Sequence, residues 1–364
     1  MTEAIKPAHF PWFDYSRYTF SLGLQRGQNA WLSGHSASEY DPTDGHITVR
    51  GGMLDQARTA YAKIEAILEA AGLTLADATR VVEYVTVAGI EHYEEAETVR
   101  REVFGSVEPA VCTVVVNRLL RPQAFIEVEV TASKGPSDIV YLPSITAKGD
   151  DLETQARGVF ETARDMLETM GLSAANIVKT VDYTTPATLS DYKKTGRIRK
   201  ELLGPVYPGA AGILLQRLQR PDALISLDVI ASRAELVAVN PGWSRYEKLT
   251  YSPAVKAGNM LFMSGQAALD PATEQAVHAG DVVAQAEYTY NNIIEVLKAA
   301  GAGPENLVKT IEYVTPAGLA NYREVAKVRE RLLKEPYPAS TGCICEALLR
   351  PEFEIEIDPL AILA

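Results

Sequence analysis

Residues 78–86 read ATRVVEYVT, residues 177–185 read IVKTVDYTT and residues 307–315 read LVKTIEYVT. Each copy sits in the same frame of landmarks. A Gln-Ala pair begins 27 positions before the acid, at Gln56, Gln155 and Gln285, and a glycine follows each glutamine after 16 residues, at Gly72, Gly171 and Gly301. Past the acid come Tyr93, Tyr192 and Tyr322 at ten residues, then Arg100, Arg199 and Arg329 at 17. Pro109, Pro208 and Pro338 follow at 26, and an Arg-Pro pair at 38 begins at Arg121, Arg220 and Arg350. One unit is therefore written three times in a single chain, and a repeat of this kind determines how everything else is read.

Composition narrows the function classes. Of 364 residues, 47% are hydrophobic and 23% charged, the balance of an ordinary globular chain. A net charge of −12 and the lack of a Lys/Arg stripe argue against a nucleic-acid partner. No apolar run approaches the roughly 18 residues that span a bilayer, and residues 1–13 lack the layout of a secretory signal. Three cysteines make no disulfide framework. Neither Cys-x-x-Cys nor clustered histidine is present, so no metal and no cofactor is expected. The expectation is a soluble cytoplasmic protein with neither a nucleic-acid nor a membrane partner.

Periodicity supplies the elements. Helices are expected over 56–71, 155–170 and 285–300, the last carrying an apolar stripe at Ala286, Tyr290, Ile293, Ile294 and Leu297. The glycine after each suits a left-handed helix terminus. Strands follow over 79–85, 177–184 and 307–314, then second helices over 90–104, 189–203 and 319–333. Two further β segments close each unit, 111–116 and 124–131 being the first pair. The lead-ins differ: 32 residues separate one Arg-Pro from the next Gln-Ala in the second unit and 63 in the third. The second unit thus lacks the opening strand expected at 18–24 and 251–256 and keeps only a short one over 139–142. Turn composition at 133–136 and 238–242 places the boundaries, giving units 1–133, 134–236 and 237–364.

The third unit reads YSPAVKAGNMLFMSGQAALDP over 251–271, then a Gln-Ala helix, LVKTIEYVT, YPAS and LLRPEFEIEID. The first carries AWLSGH, ATRVVEYVT and RPQAFIEVEV. These segments resemble the Rid/YjgF family of reactive-intermediate deaminases, also called L-PSP. The resemblance implies an α+β class built from chorismate-mutase-like units, three of which form an intramolecular pseudo-trimer with helices outside and β-sheets inside. The expected particle is a monomeric pseudo-trimer or a dimer of it, with sites in the clefts between units.

The resemblance also assigns site residues. The family glutamate that manages a water corresponds to Glu127 and Glu356, with Ser226 in the second unit. The family tyrosine corresponds to Tyr251, with Phe20 in the first unit. The arginine that anchors a substrate carboxylate in the deaminase branch falls on Val111, Ala210 and Ser340, all uncharged, so no unit carries that fork. The Ser-Gly bends at Ser33-Gly34 and Ser264-Gly265 offer backbone N–H groups to a substrate oxygen. His35 is a candidate base, and Cys112 and Cys343 are candidate cleft thiols, with Cys345 on the same strand face as Cys343.

The remaining repeated residues suit architecture. Threefold recurrence of the acid (Glu83, Asp182, Glu312) and of Arg100, Arg199 and Arg329 suggests that an acid of one unit meets an arginine of the next. Arg80, Lys179 and Lys309 stand at strand starts, where solvation is usual. The leading reading is a hydrolase or deaminase of an imine, enamine or strained amide. The alternatives are a metabolite-binding pseudo-enzyme and a cyclic-amide hydrolase pairing Ser33, Ser144 or Ser264 with those basic residues.

Overall fold

In the computed structural model, which describes residues 1–363, three sheets each carry one long helix and one shorter one. The long helices are α1 (Met53–Ala70), α3 (Leu152–Thr169) and α5 (Val282–Ala299); the shorter ones are α2 (Tyr93–Phe104), α4 (Thr195–Leu202) and α6 (Val325–Leu332). The long helices begin three residues before each glutamine. Asp151 caps α3 through Thr154 N–H, and Asp281 caps α5 through Val283 and Ala284. The glutamine one turn in has a different task. Gln56 donates to the carbonyls of Gly51 and Gln123 and accepts from Phe125 N–H, tying the helix start to the strand that closes the unit. Gln155 and Gln285 make the same three bonds. Gly72, Gly171 and Gly301 lie at φ of 71°, 72° and 74°, the left-handed terminus that their spacing predicts. The second helices start later than expected, because a 3₁₀ turn occupies the stretch around Tyr93, Tyr192 and Tyr322.

Each sheet has the same centre. Ala78–Thr86 runs antiparallel to Ile126–Ser133 and parallel to Ala110–Val116; Ile177–Thr184 and Leu307–Val314 have equivalent partners. Both faces of these strands are buried, which explains their nearly unbroken apolar runs. Val81 and Val85 pack under α1, whereas Val82 and Tyr84 face a core shared with Val181 and Tyr183 of the second sheet and Tyr313 of the third. Helices therefore cover the outer faces, and the inner faces of all three sheets meet in one core.

Strands and bonds also cross between sheets. Ala347–Leu348 joins the edge of the second sheet, and Arg118–Leu119 that of the third. The opening strands are shorter than expected, Gly23–Arg26 and Ala254–Ala257. The residues before them spend their hydrogen bonds on a neighbouring repeat: Ser21 N–H reaches Pro338 O at 3.2 Å, and Ser252 N–H reaches Pro208 O at 2.9 Å. In the second repeat the short lead-in adds only Ile139–Tyr141 and the two-residue Ile145–Thr146 to Ile225–Ser232, with no opening strand ahead of them. The segment expected to be a turn over 238–242 is instead entered through a strand, Leu236–Val239, paired with Ala254–Ala257. No helix among the described residues is long and apolar enough to cross a membrane.

Two expectations about charge are reversed. The repeated acid and arginine meet within one repeat: Arg329 reaches Glu312 at 2.7 Å, and Arg100 with Glu83 and Arg199 with Asp182 do the same. Tyr93, Tyr192 and Tyr322 complete each cluster beneath the helices. Arg80, Lys179 and Lys309 are not solvated. They are buried and pair with an acid of another repeat, Arg80 with Asp228, Lys179 with Asp358, and Lys309 with Glu129 at 2.9 Å. Strand alternation is the cause: positions 80, 82 and 84 face inward, and 81, 83 and 85 face the helices.

Candidate functional site

A cavity of about 210 Å³ opens where the second repeat meets the third. From the second repeat, Tyr192, Arg199 and the strand residues Ala210, Ala211 and Gly212 form one wall. The third contributes Gly265, Gln266 and Glu356, together with Leu349, Arg350 and Phe353. Trp243, Arg245, Tyr246 and Tyr251 arrive from the segment ahead of Ala254–Ala257. Tyr246 and Tyr251 meet edge to face with ring centroids 5.5 Å apart.

Glu356 is the acid of this cavity. It is buried, and loss of solvation, with the neighbouring Asp358 charge acting the same way, pushes its carboxyl up to about 8. Lys179 and a backbone hydrogen bond from Gly212 offset only part of that rise. At neutral pH the group is mainly protonated and can donate. A Cβ at Gly265 would meet the Glu356 carboxyl and come within 2.9 Å of the Ala211 methyl, so a side chain there would displace the acid. Burial also raises the Tyr251 hydroxyl, and it raises Tyr246 to about 12, so both phenols stay protonated.

The serine bends serve a different purpose from the one their spacing suggests. Gly265 N–H is already bonded to Ala210 O at 3.0 Å, and Gly34 N–H to Ser340 O at 3.3 Å, so neither is left to face a substrate oxygen. Ser264 Oγ donates to Ser252 O at 2.6 Å and accepts from Ala210 N–H at 2.8 Å. Ser33 Oγ likewise joins Ser21 O to Ser340 N–H, and Ser144 Oγ accepts from Thr113 N–H at 3.1 Å. All three hydroxyls clamp a neighbouring repeat. None is hydrogen-bonded to a lysine, since Lys179 and Lys309 are held by carboxylates and by the Met263 and Leu32 carbonyls.

The second predicted acid, Glu127, occupies the equivalent place where the first repeat meets the third. It is buried and raised by desolvation to about 7, with the adjacent Glu129 charge acting the same way. Its surroundings differ from those of Glu356. Lys63 replaces Asn292, lies fully buried, donates to Ser36 O at 2.7 Å and sits 5.1 Å from the Phe13 ring centroid. Desolvation lowers that amine to about 7. His35 is buried beside Phe10 and lowered to about 3, also by desolvation, and its Nε2 lies 3.1 Å from Leu22 O. A neutral ring bonded to a carbonyl in this way makes a poor base. The third junction has Ser226 in place of the acid and Ser144 in place of the glycine.

The structure does not bring the cysteines to the cavity. Cys112, Cys343 and Cys345 are free and buried in the shared inner core, and burial pushes all three thiols up, away from the thiolate that reactivity needs. Sequence reasoning missed Trp243, Arg245 and Tyr246. A second cavity of about 70 Å³ lies among the inner faces, lined by Arg80, Lys179, Lys309 and their three partner acids.

The profile of the Endoribonuclease L-PSP family matches residues 15–134 and again residues 246–363. Reactive Intermediate Deaminase A, chloroplastic, from Arabidopsis thaliana is 34% identical over 148 residues, which are 40% of this chain and 78% of that protein. The Homo sapiens 2-iminobutanoate/2-iminopropanoate deaminase is 34% identical over 112 residues, 31% of this chain and 79% of its own. Among solved structures, RidA from the Antarctic bacterium Psychrobacter sp. PAMC 21119 is 33% identical, covering 31% of this chain and 89% of that one with a TM-score of 0.29.

Proposed function

The chain belongs to the Endoribonuclease L-PSP (Rid/YjgF) family, and from that premise we propose that it hydrolyses the C=N bond of a small imine or enamine in the cavity between the second and third repeats. Units 1–133, 134–236 and 237–364 are read as an intramolecular pseudo-trimer in which seam-crossing ion pairs and serine clamps hold three unlike clefts. The observation that carries the function is Glu356: a buried carboxyl, neutral up to about pH 8, on the wall of an aromatic-lined cavity.

The chemistry follows from that protonation state. Glu356 gives its proton to the imine nitrogen while water adds to the carbon, forming a carbinolamine. The carboxylate then takes back a proton from the added water. Glu356 then protonates the amine nitrogen, the C–N bond breaks to release ammonia, and the hydroxyl proton passes back to the carboxylate as the carbonyl product forms. An enamine enters the same route once protonated at carbon. Names of relatives as imine deaminases support this reaction class. A Ser–Lys amidase is disfavoured, because the serine hydroxyls are committed to backbone groups. One productive cleft is the preferred count, since Glu127 feels the charge of a buried Lys63 that the Glu356 cavity replaces with Asn292, and Lys63 is itself packed against Trp12 and Phe13.

The test is a panel of imines and enamines generated in situ, with ammonia release followed for the wild type and for Glu356→Gln. Turnover of at least one panel member, lowered tenfold or more by Glu356→Gln, is expected. Equal rates in the two proteins would remove Glu356 from the mechanism.

A further inference from the structure

We propose that Arg245 is the anion anchor of this cavity, so that the preferred ligand is an organic acid with its imine or enamine carbon beside Glu356 and a bulky apolar substituent among the aromatic rings. The substrate class rests on the hydrolytic reading above; the anchor itself does not.

The first argument is a comparison of the two lead-in segments. Residues 12–15 read WFDY and residues 243–246 read WSRY, and each is followed five residues on by an aromatic, Phe20 or Tyr251. Within this match one position reverses charge, Asp14 against Arg245. Asp14 is exposed and spends its carboxylate on Ser16 N–H at 2.9 Å and on Arg17 at 3.6 Å. Arg245 lines the cavity, its guanidinium carbon 5.2 Å from the centroid of the Tyr246 ring. Its Nε is buried without a hydrogen-bond partner.

A second donor is unpartnered in the same cavity, on the facing second repeat. Arg199 is 5% exposed and is paired with Asp182, yet its Nε has no partner. The equivalent Arg329, at the junction of the third repeat with the first, donates its Nε to Thr19 at 3.0 Å. Buried donors left unpaired cost free energy, and a planar carboxylate is the ligand whose two oxygens satisfy guanidinium donors best. Such a ligand restores by another route the fork that Ala210 cannot supply.

The charges agree. Asp182 compensates Arg199, and Glu356 is mainly protonated at neutral pH. Arg245 and Arg350 both line the cavity without an acid paired to them, Arg350 donating instead to the Glu274 carbonyl at 2.8 Å, so the cavity carries positive charge that suits an anion. Trp243, Tyr251 and Phe353 provide the apolar surface against which a substituent would lie.

Calorimetric titration of phenylpyruvate and of uncharged phenylpyruvamide tests the anchor without turnover. The wild type is expected to prefer the acid. Arg245→Ala should weaken the acid at least tenfold and leave the amide unchanged, Arg245→Lys should fall between, and Asp14→Ala should match the wild type. Equal losses on acid and amide, no loss on the acid, or a wild type that does not bind the acid would each overturn the proposal. Glu356→Gln turnover probes the hydrolytic reading separately, so failure of one leaves the other distinguishable.

Discussion

The carboxyl of Glu356 fills the space that the first side-chain atom of any residue but glycine would need at position 265. Gly34 and Glu127 stand in the same relation. In the second repeat the acid and the glycine are both absent, replaced by Ser226 and Ser144. The glycine is thus a spatial complement of the acid.

Gly265→Ala is therefore expected to push Glu356 off the cavity wall and lower imine hydrolysis at least tenfold. Gly34→Ala should disturb Glu127 and lower the melting temperature while leaving turnover within twofold. Parallel melting curves and rate assays check both. Equal loss of turnover in the two variants would mean that the clefts work together.

The pH dependence of activity follows from the raised carboxyl. If Glu356 acts as an acid, kcat/KM falls as pH climbs through about 8. Stability carries the same signature. Between the ordinary glutamate value of 4.5 and about 8, the folded chain holds a proton that the unfolded chain has lost, so the contribution of this group declines with rising pH and levels off above 8. Lys63, lowered to about 7, contributes the opposite slope above that pH. The stability difference between wild type and Glu356→Gln isolates Glu356. It is expected to move in favour of the variant by up to about 1.4 kcal/mol per pH unit inside the window. A difference flat from pH 5 to 8 would contradict a buried, protonated Glu356.

Lys309 and Glu129 bind the third repeat to the first from buried positions. Removing one partner strands the other, so Lys309→Met should cost about 3–5 kcal/mol in denaturant unfolding. Adding Glu129→Gln should recover much of that loss. If the single variant unfolded like the wild type, the pair would not be holding the seam.

The repeat, the helices, the left-handed glycines and the two acids were all legible in the sequence, because each leaves a periodic or spaced mark. The roles of the charged residues were not. Arg80 and Glu83 are three residues apart on one strand and so lie on opposite faces, and that odd spacing alone sends the first across a seam and the second under a helix. Counting from Val82 and Tyr84, which share the face of Arg80, would have shown it. The serines were misread for a related reason: Ser264 and Ala210 are 54 residues apart, and no local pattern reveals that one caps the other. Arg245 left a faint signal in the match of 12–15 with 243–246, hidden because the elements expected nearby began only at Tyr251.

Because the carboxylate that answers Lys309 travels on the same polypeptide, dilution does not separate the two. Catalysis should scale linearly with enzyme even at concentrations where separately encoded subunits would drift apart. Inheritance follows the same logic. A substitution in a protein of three identical chains is printed at every junction, whereas here it alters one, leaving the others free to keep the particle standing while a single cleft changes its trade.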